Sequence, residues 1–211
     1  MTAELLRADD PVALPDSGPT APLWAAVLDL AEAHPAGWTL IGAMMVAFHE
    51  HEAGQESGRL TADADAVVEV RGASSGPRAL AETLLEQGWQ LHDEDVDINA
   101  VGYTFRRERL AFDLVVPEGP GGRADVTTVP PLTAPAVPGA RQALDRTQPI
   151  SVTLGRRHGV LLRPSLLAAL VVKSCAAAED RSAAGGRHSM TLLSGPSAVA
   201  PVERCERPEH A

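Results

Sequence analysis

Hydrophobic and polar positions alternate between two periods along the chain. From Pro22, apolar residues fall at Leu23, Ala26, Val27, Leu30 and Ala31, the spacing of one helix face, and His34-Pro35-Ala36-Gly37 ends that helix. Trp38-Thr39-Leu40-Ile41 is a short apolar strand, Gly42-Ala43 a tight turn, and Met44 to about Glu52 a second helix. After the polar loop Gly54–Gly58, the run Arg59–Val70 has the signature of a strand, and Leu80, Leu84 and Leu85 mark a helix entered at Pro77 and stopped at Gly88. Val101–Arg106 and Leu110–Val116 are the next strand candidates.

The stretch Pro117–Pro138 has no clear period and is expected to be a loop region, with a short strand at Val126–Val129. Gln148–Leu154 and Gly159–Leu162 predict a hairpin turning at Gly155-Arg156-Arg157-His158. Pro164 is expected to open a helix through Ala178, because proline is tolerated at the first helical position. A short helix near His188–Leu193 and a polar tail follow. The organisation expected is a disordered leader over residues 1–20, an α+β core over 21–145, a hairpin and C-terminal helices over 146–200 completing the same domain, and a tail over 201–211.

Composition narrows the function classes. With 211 residues and 45% hydrophobic content, the chain is long enough for one full core. Aromatics make up only 3%, so no platform for stacking unpaired bases is legible. The net charge of −10 argues against an open, non-specific nucleic-acid coat. Cys175 and Cys205 form no CxxC, no export signal is read in Met1–Ala21, and no apolar window spans a bilayer; a reduced, cytoplasmic setting without a membrane is expected.

The candidate chemistry lies in Thr61-Ala62-Asp63-Ala64-Asp65. The strand period of two points Asp63 and Asp65 to the same side, and two convergent carboxylates next to an apolar run are costly to bury without a cation. A hard divalent ion, Mg²⁺ or Mn²⁺, is the common remedy. Such pairs also occur at solvated strand ends, and a plain globular domain of that kind would leave Asp113 remote from Asp63. Asp113, the lone carboxylate inside Phe112-Asp113-Leu114-Val115-Val116, supplies a third acidic residue on a strand that would lie beside the first.

Three carboxylates on adjacent strands facing the helix start at Gly42 suit metal-assisted phosphoryl or nucleotidyl transfer, with backbone N–H groups offered to a triphosphate. Lys173, the one interruption of an apolar helix face, either snorkels to solvent or neutralises nucleotide phosphates. Thr61 shares a face with Asp63 and is a candidate phosphate ligand, whereas Arg59 also fits a plain surface cation. His49-Glu50-His51-Glu52 lacks the spacing of a zinc motif and is expected to be a solvated helix end. Asp93-Glu94-Asp95-Val96-Asp97 has polar neighbours and is expected to be a solvated turn.

The order Ile41-Gly42-Ala43, Arg59-x-Thr61-x-Asp63-x-Asp65, Phe112-Asp113-Leu114, then Pro164-Ser165-Leu166-Leu167 leading to Lys173, resembles the polymerase-β-like nucleotidyltransferases. Within that superfamily it is most similar to the AbiEii toxin group of bacterial toxin–antitoxin pairs. The resemblance covers roughly residues 38–193. It implies a nucleotidyltransferase-like fold, a small mixed β-sheet flanked by helices with a helical C-terminal part. It also implies phosphate binding by Gly42 and Ala43, Mg²⁺ binding by Asp63 and Asp65 with Asp113 as the third acid, and a nucleotide contact by Lys173. The implied partners are a nucleoside triphosphate, a tRNA acceptor and a cognate antitoxin. Two departures stand out. The phosphate turn is Gly42-Ala43 where the family has Gly-Gly or Gly-Ser, and Arg187–Leu193 holds no carboxylate where the family has a further acidic residue. The second departure motivates an alternative, a catalytically degenerate domain that binds nucleotide or protein without turnover.

Overall fold

The computed structural model describes residues 10–55, 61–71, 76–92 and 101–185. Its first strand, β1 (Val12–Leu14), falls within the leader expected to be disordered over residues 1–20, of which 1–9 lie outside the described residues: Val12, Ala13 and Leu14 pair in parallel with residues 152–154, and Leu14 is buried. That pairing joins segments about 140 residues apart, and local proline punctuation gives no hint of it. Helix α1 (Ala21–Ala33) buries Leu23, Trp24, Ala26, Val27, Leu28, Leu30 and Ala31 and stops at His34. Strand β2 (Trp38–Ile41), buried at every position, runs directly into α2 (Gly42–Glu52). Strand β3 (Asp63–Val68) is shorter than the expected run from Arg59, which itself lies outside the described residues.

Helix α3 (Pro77–Glu86) is followed by Gly88 at φ +84°, as the sequence predicts, and then by β4 (Gln90–Leu91). Strands β5 (Thr104–Arg107) and β6 (Leu110–Pro117) form a hairpin. Within the expected loop region, Val126–Val129 is no strand; Thr127 makes only an isolated bridge to Thr133. A two-residue β7 (Ala136–Val137) and a short α4 (Ala140–Asp145) follow, then the hairpin β8 (Thr147–Leu154) and β9 (Arg157–Pro164). Pro164 therefore closes a strand, opposite Thr147, instead of opening a helix. The Ser165 hydroxyl accepts from the Ala168 N–H at 3.4 Å, and α5 (Leu166–Gly185) runs past the expected end at Ala178. The expected helix near His188–Leu193 and the tail lie outside the described residues.

The result is a mixed α+β architecture. One sheet has the order β2-β3-β6-β5-β4 with β7 added on β6, and the other is β1-β8-β9. In the larger sheet β2 is antiparallel to β3, β3 is parallel to β6, and β5 is antiparallel to β6. Cross-strand partners share a sheet face and successive residues alternate faces. Ala64, Ala66, Val68, Phe112, Leu114, Leu40 and Phe105 thus form one apolar face, where α1 and α3 pack and Trp89 meets Phe112 edge-on at 5.9 Å. The second sheet joins this core where β9 packs on α1 and β2. The opposite face carries the acidic residues. Among the described residues, no helix is long and apolar enough to cross a membrane.

Candidate functional site

The parallel pairing of β3 with β6 sets Asp65 directly opposite Asp113, and Asp63 opposite Ala111. On the other edge Ile41 lies opposite Asp65, and beyond β6 Thr104 lies opposite Asp113. A row of Ile41, Asp65, Asp113 and Thr104 therefore crosses four strands on one face. Its neighbour row, toward the start of β3, holds Asp63, Ala111 and Arg106. Asp113 is the cross-strand neighbour of the acidic pair, so the arrangement of a plain domain with a remote Asp113 is not the one observed.

Asp65 is buried at 6% exposure, and burial pushes its carboxyl up to about 6. The Lys173 charge pulls that value down and the Asp63 charge pushes it up. Asp63 is half-buried and its carboxyl is also raised, by burial, against the opposing pull of Arg106. Lys173, on α5, is thus half-buried with its charge acting on the deepest acid. Helices α4 and α5 pack against each other, and α4 covers β2 and β3, so this face of the sheet is roofed by the C-terminal part of the chain.

Gly42 is built into the same place. It is buried, its φ is +69°, and a Cβ there would stand 1.7 Å from Asp65 Oδ2 and 2.7 Å from Asp65 Cγ. Only a glycine permits the carboxylate to sit against the start of α2. No side chain caps that helix start, so the first-turn N–H groups around Gly42 and Ala43 form an anion-favouring end beside the acids. Thr61 is tied to the strand that carries Asp63. Its hydroxyl donates to the Asp63 carbonyl at 3.1 Å and accepts from the Asp63 N–H at 3.2 Å, so it fixes the backbone that carries Asp63.

Carboxylate oxygens are the ligands a hard divalent ion takes, and Mg²⁺ is commonly held by one or two carboxylates with substrate phosphates and water completing its shell. Among the described residues, no group of three or more His, Cys, Asp or Glu side chains is gathered closely enough to hold an ion unaided. The residues therefore fit a metal shared between Asp63, Asp65 and a phosphate-bearing substrate, with Asp113 beside them.

The acidic run 93–97 and the segment 187–193 lie outside the described residues. His49 and Glu52 do not form a zinc site: His49 Nδ1 is 3.1 Å from Glu52 Oε2, and Glu52 is held by Arg163. Sequence reasoning missed Thr104 and Arg106, because the alternation of β5 gives their parity but not the strand they face. No protein-family model, curated protein or solved structure matches the chain.

Proposed function

We propose that the protein is a Mg²⁺-dependent nucleotidyltransferase of the polymerase-β-like kind, similar to the AbiEii toxins. It would move a nucleoside monophosphate from a nucleoside triphosphate to an acceptor hydroxyl such as that of tRNA. The observation that carries this reading is the cross-strand pair Asp65–Asp113, with Asp63 two residues away on the same face, placed against an uncapped helix start at Gly42 and under Lys173.

In the proposed reaction the acceptor oxygen forms a bond to the α-phosphorus. The α–β P–O bond breaks and pyrophosphate leaves with its electron pair. Asp113, beside the pair, is the group proposed to take the hydroxyl proton. Asp63 and Asp65 would hold the divalent ion, which would supply charge stabilisation to the attacking and leaving oxygens. The Gly42–Ala43 N–H groups and Lys173 bind phosphate, and Thr61 keeps Asp63 in register. The same reading carries a cytoplasmic setting and a cognate antitoxin as its further proposals.

A second reading, a nucleotide- or protein-binding domain without turnover, rests on Arg187–Leu193 holding no carboxylate where the resembled family has an acidic residue. Incubation with each labelled nucleoside triphosphate, total RNA and Mg²⁺ or Mn²⁺ separates the two. Label transferred to RNA and lost in Asp113→Asn supports the enzyme. Tight nucleotide binding with no transfer by folded protein supports the binding domain.

A further inference from the structure

The larger sheet presents its acidic face in two rows that differ in depth. In the inner row Ile41, Asp65 and Thr104 are buried, at 5 to 6% exposure, and Asp113 is half-buried. In the outer row Asp63 is half-buried and Arg106 is exposed. Ala111 between them is buried, so exposure in these two rows is greatest at Arg106.

Resting on the nucleotidyltransferase reading, we propose that Arg106 is a second phosphate-binding cation of the site, gripping the outer phosphates of the nucleoside triphosphate at its mouth while Lys173 serves the inner end. Arg106 and Asp63 both lie opposite Ala111, one on β5 and one on β3, so they share a face with only a methyl side chain between them. Two strand spacings separate their backbones by about 9–10 Å, within the combined reach of an arginine and an aspartate. The guanidinium charge acts on the Asp63 carboxylate. The site already concentrates three carboxylates, and a triphosphate adds several more negative charges, so a cation at the outer end is what its entry requires. A guanidinium is suited to this because its planar fork binds phosphate oxygens in pairs and remains charged at any working pH. An arginine serving only to neutralise Asp63 would have no preference for phosphate chain length, and this separates the two roles.

The test is titration calorimetry on the full chain with Mg²⁺ and, in turn, each of the four ribonucleoside triphosphates, inorganic tripolyphosphate and a nucleoside monophosphate. Arg106→Gln is expected to weaken triphosphate and tripolyphosphate binding about ten- to hundredfold, the scale of a lost charge-assisted hydrogen-bond pair. Monophosphate binding should change less than threefold, and Arg106→Lys should recover part of the loss. If the wild type binds triphosphate and Arg106→Gln binds it equally well, the role of Arg106 is overturned while the nucleotidyltransferase reading stands. Equal losses for mono- and triphosphate would also overturn it, assigning Arg106 to the support of Asp63. A wild type that binds none of the four triphosphates with Mg²⁺ or Mn²⁺ removes both readings.

Discussion

Replacing Gly42 with alanine probes the contact on which the site is built. The new Cβ would lie 1.7 Å from Asp65 Oδ2, far inside any contact distance, and the backbone at residue 42 is fixed between β2 and α2. The carboxylate must therefore turn away. Two costs add: a non-glycine residue at φ +69° costs about 1–2 kcal/mol, and an aspartate forced off its rotamer costs about 0.5–1.5 kcal/mol. The sum is about 1.5–3.5 kcal/mol, or a fall of roughly 3–14 °C in Tm for a chain of this size. Gly88→Ala is the control, since Gly88 has φ +84° but nothing within 4 Å of an added Cβ, and it should lose only the backbone part, about 1–2 kcal/mol. Urea denaturation of both variants measures the difference, and calorimetry with Mg²⁺ and nucleoside triphosphate reads the site. Gly42→Ala should lose nucleotide affinity and Gly88→Ala should keep it. If Gly42→Ala is no less stable than Gly88→Ala and binds as the wild type does, Asp65 is not seated against Gly42 as described.

Two further substitutions address the energetics of the buried charges. Because the folded-state value of Asp65, about 6, lies above its ordinary 3.8, its carboxylate costs stability above pH 6, and that cost fades as pH falls through 6 toward 3.8. Asp65→Asn should therefore be more stable than the wild type by about 1–3 kcal/mol at pH 8, with the gap closing near pH 4; a gap independent of pH in urea melts would contradict this. Arg163 holds Glu52 through two hydrogen bonds, of 2.7 and 2.5 Å, with its own side chain at 10% exposure. Arg163→Ala should cost about 1–3 kcal/mol by removing the guanidinium from the half-buried Glu52, which keeps its contact with His49, and the double change Arg163→Met, Glu52→Gln should recover most of it; a loss below 0.5 kcal/mol in the single variant, on the order of an exposed ion pair, would show the pair to be solvated.

The parts of the site that lie on strands with a strong local pattern were legible in the sequence. Alternation alone put Asp63 and Asp65 on one side of β3, and the apolar neighbours of Asp113 marked β6 as an interior strand. The strand–Gly42–helix unit was equally plain, although the left-handed glycine and its contact with Asp65 required the β2–β3 register. What escaped depends on pairing between distant segments. Val12–Leu14 is a strand because β8 accepts it, and Arg106 belongs to the site because β5 lies beside β6. Helix α4 is only six residues long and follows a Pro- and Gly-rich loop, so it has too few turns to show a period. Pro164 satisfied a helix-start rule, yet it sits where β9 ends, one residue before the serine whose hydroxyl meets the first turn of α5. Parity puts Thr61 on the acidic face beside Asp63, whereas the engagement of its hydroxyl by the Asp63 backbone is not legible from spacing.

The most direct test of the central claim is the Mg²⁺-dependent affinity of the wild type and of the Asp63→Asn, Asp65→Asn double variant for nucleoside triphosphate, measured by calorimetry at pH 8, above the raised value of Asp65. The account predicts binding in the wild type that disappears on chelation of the metal and in the double variant, with the fold intact by circular dichroism. Unchanged metal and nucleotide affinity in the double variant would contradict it.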